Sequence, residues 1–140
     1  MTGQAITLHL PNRLYQRLAQ AASTLQRTLD DVVLQSIRAG LPPSLDRMPE
    51  RFRADLQTLN RLSDEMLWRI ARSDIENDKA ILYESLLERN RRGELSEDER
   101  ARLNTLREEA DLLMLRRSYA YALLKWHGHR IPTLGELQRP

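Results

Sequence analysis

The sequence predicts a mainly α-helical protein that begins with one short strand. Of its 140 residues, 30% are charged and only 5% are aromatic, a composition typical of helical proteins with much charged surface. Apolar residues recur at helical spacing through most of the chain and alternate with a period of two only over residues 5–10. Pro42 and Pro43 interrupt the helical pattern. We therefore expect three parts: an N-terminal dimerisation module over residues 1–44, a helical region over residues 45–127 and an extended tail over residues 128–140.

The lone strand predicts a homodimer. Its apolar positions are Ile6, Leu8 and Leu10, and its alternate, exposed positions are Ala5, Thr7 and His9. The backbone groups of a strand need a neighbour, and no second strand pattern occurs in the sequence. We therefore expect the strand to pair with the same strand of a second copy, with its apolar side chains in the dimer core.

Two helices are predicted after Pro11, which ends the strand. Apolar residues lie on one helical face between Leu14 and Leu25, and again between Leu29 and Ile37. Thr28 is a typical N-cap for the second helix, with an acidic residue three positions later. Gly40 is a typical residue just beyond a helix C-terminus. The module thus has one strand and two helices.

This module resembles the ribbon-helix-helix family of Arc and MetJ repressors. The resemblance covers about the first 42 residues and rests on the order Ile6-Thr-Leu-His-Leu-Pro-Asn-Arg-Leu, helix, short turn, helix, Gly40. It implies that a two-stranded ribbon enters the major groove of operator DNA and that the second helix anchors a phosphate with its N-terminus. The residues that it implies for DNA binding are Ala5, Thr7 and His9 as base readers and Thr28 with Leu29 as the phosphate anchor.

The helical region is predicted to contain several helices and to end in one long helix. Ser63 followed by two acidic residues indicates a new helix start, and another helix is expected over residues 75–92, ended by Gly93. Ser96 and Glu99 form a capping box that begins a pattern unbroken to about His127. That last helix is about 46 Å long at 1.5 Å per residue.

The long helix carries a heptad seam. Its positions are Leu103, Leu106, Ala110, Leu113, Arg117, Ala120 and Leu124. Six of these seven are apolar, and further apolar residues flank them, so the helix is expected to be buried on more than one side. One interpretation is an intermolecular interface, and the other is a hairpin in which the helix of residues 75–92 packs back across Gly93. Both hold if one face packs within the chain and the other meets a partner.

Charge and layout lead to a functional hypothesis. Residues 1–44 carry four arginines and two aspartates, a net charge of +2, whereas residues 45–140 are neutral overall. A DNA-binding dimer followed by a helical arm is similar to the layout of antitoxins of toxin–antitoxin pairs, which implies a toxin as the partner of residues 45–140. The residues expected to bind it are Leu106, Leu113, Arg117, Leu124 and Trp126.

An assembly protein that uses the ribbon only to dimerise is the alternative. Asp30 and Asp31 lie in the first turn of the proposed anchoring helix, where they would repel a phosphate. The exposed strand positions also include no Arg, Lys, Asn or Gln, the residues that make forked contacts with bases. Both features favour a dimer that does not bind DNA.

Other classes find little support in the sequence. There is no Cys, no Gly-rich phosphate loop and no nucleophile motif, so we expect no enzyme, no catalytic residue and no cofactor. His127 and His129 lack a third ligand in the sequence pattern, so no metal site is predicted. No apolar run reaches the roughly 20 residues of a membrane span and no secretory leader pattern is present, so we expect a cytoplasmic protein.

Overall fold

The computed structural model describes residues 3–137, apart from the side chain of residue 134. The chain separates into two compact units, one that ends at Leu41 and one that begins at Pro42. The first unit contains α1 (Asn12–Leu25) and α2 (Leu29–Gly40). The second unit contains α3 (Glu50–Gln57), a 3-10 helix (Thr58–Arg61), α4 (Asp64–Ala71), α5 (Asn77–Arg91), α6 (Glu97–Trp126) and α7 (Leu134–Leu137).

The first unit is a helix pair joined by a tight turn. Gln26 ends α1 in the left-handed conformation, with φ of 54°, and its neighbour Arg27 donates a backbone hydrogen bond to Ala22. Thr28 then caps α2, because its Oγ1 accepts a hydrogen bond from the N–H of Asp31 at 3.1 Å. The predicted N-cap is therefore confirmed.

The predicted strand is wrong. Residues 3–11 form neither helix nor strand, and no strand occurs anywhere in residues 3–137, so the described chain is helical and lacks the ribbon of a ribbon-helix-helix module. Alternation of apolar and polar residues specifies which side chains share a face, but a strand forms only where a second extended segment accepts its hydrogen bonds. The described part of this chain provides no such segment, and the fold is mainly α as expected.

Local capping sequences set two helix starts of the second unit, those of α4 and α6. Ser63 accepts a hydrogen bond from the N–H of Met66 and begins α4, which confirms the predicted restart. Ser96 and Glu99 form both halves of a capping box at the start of α6. At the start of the connection from α5 to α6, Gly93 adopts a φ of 69°, a conformation that glycine takes without strain.

Two apolar cores lie along α6. The larger core joins α3, the 3-10 helix and α4 to the C-terminal half of α6, and its buried members are Phe52, Leu56, Leu59, Leu67, Ala71, Tyr119, Ala120, Leu123 and Leu124. The smaller core joins α5 to the N-terminal half of α6, and its buried members are Leu86, Leu95, Leu103 and Leu106. The hairpin interpretation is thus confirmed, and both ends of the heptad seam are buried within the chain.

The segment after α6 is not extended throughout. Gly128 turns the chain with a φ of 99°, residues 129–133 are non-helical, and α7 adds one helical turn over Leu134–Leu137. The remaining residues of the predicted tail, 138–140, lie outside the described residues. Within the described part of the chain, no helix combines the length and the apolar character that crossing a membrane requires.

Candidate functional site

The predicted DNA-contacting residues lie at two places in the first unit. Ala5, Thr7 and His9 are exposed on the non-helical segment that precedes α1. Thr28 and Leu29 lie together at the start of α2, where Thr28 is exposed and Leu29 is half-buried. The Thr28 hydroxyl already accepts the N–H of the third residue of the helix. In α-helices generally the first N–H groups lack partners within the helix, which is the basis of anion binding at such a terminus.

The predicted dimer-core residues are largely in contact with solvent. Ile6 is 79% exposed and Leu8 is 60% exposed, whereas Leu10 is half-buried. Six further apolar side chains of the first unit are exposed as well: Leu14, Tyr15, Leu25, Leu34, Ile37 and Leu41. The buried apolar residues described between residues 3 and 41 are only Ala22 and Val32. The first unit therefore has apolar surface to cover and little core of its own.

A basic and polar face on α1 was not identified from the sequence. Arg13, Gln16, Arg17 and Gln20 line an open depression of about 560 Å³ and are all exposed. Their spacing of three, one and three residues puts them on one side of the helix. Positive side chains beside amide side chains are suited to phosphate and base-edge contacts. These four polar residues recur at helical spacing in the sequence, but a polar helical face is harder to recognise there than an apolar face.

The predicted partner-binding residues fall into two groups. Leu106 and Leu124 are buried, each in one of the two cores, so they offer a partner no side-chain surface while the unit stays folded. Trp126 is 49% exposed, and its ring lies 5.6 Å from the ring of His127. Leu113 and Arg117 lie between the two cores, where the seam is only half-buried.

An open groove follows this middle part of the seam. We call it the α6 groove; it has a volume of about 310 Å³ and is lined by Asp74, Ile75, Ala110, Leu113, Met114, Arg117, Ser118, Tyr121 and Leu137. Most of these side chains are apolar, while Asp74 and Arg117 provide one charge of each sign. Leu137 belongs to α7, so the end of the described chain forms part of the groove wall.

Two histidines and one carboxylate form a cluster at the end of α6. Nδ1 of His127 lies 2.6 Å from Oδ1 of Asp64, and Nε2 of His129 lies 2.6 Å from Oδ2 of the same carboxylate. The Trp68 ring meets the His129 ring edge-on, with 5.8 Å between the ring centroids. We call Asp64, His127 and His129 the histidine–aspartate cluster. It joins the first turn of α4 to the residues that follow α6.

The cluster stabilises the ionised form of its carboxylate. The hydrogen bond from His129, and then the one from His127, lower the pKa of Asp64 below its ordinary value. Sequence reasoning considered the two histidines without their carboxylate, because Asp64 is more than 60 positions away and only the packing of α4 on α6 brings it near. Among residues 3–137, no group of three or more His, Cys, Asp or Glu side chains is arranged to hold a metal ion.

The charged groups nearest the cluster along the chain have other contacts. Glu65 forms a salt bridge with Arg69 at 3.2 Å, and Arg130 forms one with Glu136 at 2.7 Å. The guanidinium of Arg72 lies over the Trp68 ring, 4.6 Å from its centroid. Glu65, Arg72 and Arg130 therefore make their described contacts outside the cluster.

Comparison with known proteins adds no family to this description. No family model matches the chain, and neither a curated protein nor a solved structure matches it.

Proposed function

We propose that the protein is a dimeric DNA-binding regulator whose second unit binds a protein partner. The exposed apolar side chains of the first unit are the observation that carries this proposal, since Ala22 and Val32 are the only buried residues described between residues 3 and 41. Burial of apolar area is what offsets the conformational entropy lost on folding, and a two-helix unit with so little burial needs a second chain. A second copy of the same unit supplies a matching apolar surface.

Exposed polar and basic groups of the first unit support DNA as its ligand. Arg13 and Arg17 flank Gln16 on one face of α1, and in this proposal the two arginines contact phosphates. Thr7 and His9 are exposed and able to contact base edges, and the N-terminus of α2 at Thr28 offers backbone N–H groups. In this proposal Ala5 and Leu29 lie beside the groups that contact DNA.

The second unit supports the antitoxin form of this proposal. The α6 groove exposes Leu113 and Arg117, and Trp126 is half exposed at the end of the same helix. Unlike the first unit, this unit has two cores of its own, so its remaining apolar surface is available to a partner. The partner proposed is the toxin of a toxin–antitoxin pair.

The decisive experiment is a mobility shift with DNA from upstream of the protein's own gene. The double variant Arg13→Ala/Arg17→Ala should weaken binding to every sequence and reduce the dependence of affinity on salt. The control is Arg100→Ala/Arg107→Ala, which removes the same charge from exposed positions of α6 in the second unit. Thr7→Ala should instead relax sequence preference, by about 1–3 kcal/mol at one base pair. Absence of a shift by the wild type at low salt contradicts the proposal.

Sedimentation tests the dimer separately. Leu8→Asp puts a charge on the apolar surface that the second copy is proposed to cover, and it should shift the wild-type dimer towards monomer. The control is Gln20→Glu, which adds a charge at an exposed site that is already polar. A wild-type protein that sediments as a folded monomer contradicts the dimer.

Asp30 and Asp31 favour a second candidate, an assembly protein that dimerises without binding DNA. Both acids are exposed in the first turn of α2, close to the proposed phosphate anchor. In that position they stabilise the helix dipole but repel an anion. A dimer in sedimentation that gives no mobility shift supports this candidate.

A further inference from the structure

The residues of α6 that line the α6 groove change in character along the helix. The apolar ones come first and the hydrogen-bond donors follow: Ala110, Leu113 and Met114, then Arg117, Ser118 and Tyr121. Their spacing of three and one residues places all six on one face of the helix. A ligand in the groove therefore meets apolar surface at one end and, one turn further on, a guanidinium and two hydroxyl groups.

The guanidinium of Arg117 is only partly used within the second unit. Its Nε donates to the Ala71 carbonyl, but among residues 3–137 no hydrogen bond or salt bridge is described for its two terminal nitrogens. The neighbouring Arg116, in contrast, forms a salt bridge with Asp55. Arg117 is half-buried, and a charge in such a site attracts an opposite charge more strongly than it does in bulk water. Its terminal nitrogens form a fork that fits the two oxygens of a carboxylate.

One acidic residue also lines the groove. Asp74 is exposed, and its Oδ1 accepts the N–H of Ile75 at 2.8 Å. No salt bridge of Asp74 is described among residues 3–137, so the charge of Arg117 is not neutralised by direct contact with it. Asp74 nevertheless repels a ligand carboxylate from its own side of the groove. Its removal therefore tests the sign of the ligand's charge.

The open shape of the groove favours a peptide over a small molecule. Small-molecule sites enclose most of the surface of their ligand. The α6 groove has a volume of about 310 Å³ and is open to solvent, so it cannot enclose a ligand in this way. A peptide segment needs no enclosure, because it places apolar side chains in a groove and leaves its polar side in water.

We propose that the α6 groove binds an apolar peptide segment of a protein partner, and that one carboxylate of this segment pairs with Arg117. The apolar side chains of the segment cover Leu113 and Met114, and the hydroxyl groups of Ser118 and Tyr121 are further donors beside the carboxylate. The assignment of the groove to a protein partner rests on the proposed function. The preference for an acidic segment rests on the groove itself.

Peptides selected on the full-length protein test the site without DNA or a toxin. The probe is a phage-displayed library of random peptides, panned on the wild type. Peptides that bind in the groove should be lost on Met114→Glu, which puts a charge at a groove residue that is 59% exposed. They should be retained on Ile81→Glu, which makes the same change at a residue of α5 that is 65% exposed and does not line the groove.

The selected groove-binding peptides should contain apolar residues and an Asp or Glu. Replacement of that acid by its amide in the synthetic peptide should weaken binding to the wild type by about tenfold. The same replacement should have little effect on binding to Arg117→Met, because the partner of the carboxylate is already gone. This cycle isolates the pair from other consequences of either change.

Asp74→Asn tests the charge preference without touching Arg117. The amide retains an oxygen that accepts the N–H of Ile75, so the local turn is kept. It should strengthen binding of the acidic peptides severalfold and leave that of their amide forms unchanged. Asp78→Asn is the control, since it removes the same charge from an exposed residue of α5 that does not line the groove.

Three results overturn the proposal. They are a selection that yields no groove-binding peptide, equal affinities of the acidic and amide forms for the wild type, and an acid preference that Arg117→Met retains. Circular dichroism checks the fold of each variant, and the peptide amides with Asp74→Asn decide the question if Arg117→Met unfolds. The mobility shift of the first unit is independent of all these measurements, so failure of this site and failure of the proposed DNA binding are distinguishable.

Discussion

Nε of Arg117 donates a hydrogen bond to the backbone carbonyl of Ala71 at 3.2 Å. Ala71 is the last residue of α4, and the final carbonyls of a helix have no partner within it. Ala71 itself is fully buried, so water does not readily serve its carbonyl. Arg117, the one charged residue of the heptad seam, therefore provides a hydrogen-bond donor to a C-terminal carbonyl of α4, the helix that packs against α6. This contact explains why an arginine interrupts an otherwise apolar pattern.

Replacement of Arg117 should destabilise the second unit. Arg117→Met keeps the length and the apolar stem but leaves the Ala71 carbonyl without its donor, at a cost of about 1–3 kcal/mol. Arg117→Lys should recover part of that loss. Urea denaturation measures both, with Arg107→Met as the control because Arg107 is exposed on the same helix. Equal stability of Arg117→Met and the wild type would show that the hydrogen bond contributes nothing.

The Tyr119 hydroxyl provides a second test of buried polar contacts. It donates to Oδ1 of Asn60 at 2.5 Å, the ring is only 3% exposed, and burial raises the pKa of Tyr119 above its ordinary value. Tyr119→Phe keeps the packing and removes the donor, so thermal unfolding should report a loss of about 1 kcal/mol. Tyr121→Phe, at a half-buried position of the same helix, should change stability less. A larger loss of stability for Tyr121→Phe than for Tyr119→Phe would contradict a stabilising hydrogen bond between Tyr119 and Asn60.

Acid should weaken the second unit through two carboxylates. The pKa of Asp64 is lowered from 3.8 by His129 and His127, and that of Glu99 from 4.5 by the Ser96 backbone and then by Arg89. A lowered folded-state pKa means that each group stabilises the fold above its ordinary pKa. This stabilisation is lost as the pH falls through the lower, folded-state value. The melting temperature should therefore fall as the pH drops below about 4.

Amide variants test whether these two carboxylates cause the loss of stability in acid. Glu99→Gln keeps a side chain that completes the capping box but cannot titrate, so its melting temperature should fall less between neutral pH and pH 3. Asp64→Asn should flatten the same profile for the other carboxylate. Glu65→Gln is the control, since it removes an exposed carboxylate of the same helical turn that pairs with Arg69. If the melting temperatures of both variants fall with pH as that of the wild type does, other groups cause the loss of stability in acid.

Two leucines of the heptad seam should respond differently to truncation. Leu124 is fully buried in the larger core, so Leu124→Ala should cost about 2–5 kcal/mol of unfolding free energy. Leu113 is half-buried on the wall of the α6 groove, so Leu113→Ala should cost less and leave the circular dichroism spectrum unchanged. A partner that occupies the groove should bind Leu113→Ala more weakly. Equal losses of stability would contradict the division of the seam into core and groove.

Sequence reasoning succeeded where the determinants of structure are local. Thr28, Ser63 and Ser96 each accept an N–H three residues ahead, so a few consecutive residues are enough to predict a helix start. It failed for residues 5–10, whose alternation describes side-chain faces while strand formation depends on a distant hydrogen-bonding neighbour. It also missed the contact of Asp64 with His127, because no pattern links residues 63 positions apart.

Among the described residues of the second unit, the two cores have only α6 in common. One is completed by α3, the 3-10 helix and α4, and the other by α5 and Leu95. A helix whose two halves are stabilised by different neighbours is able to fray from one end while the other holds, so we expect the unit to unfold in two steps rather than one. The end formed with α5 has the smaller buried set and should open first. Unfolding that begins there would leave the Arg117–Ala71 contact and the end of α6 intact as a partly folded species.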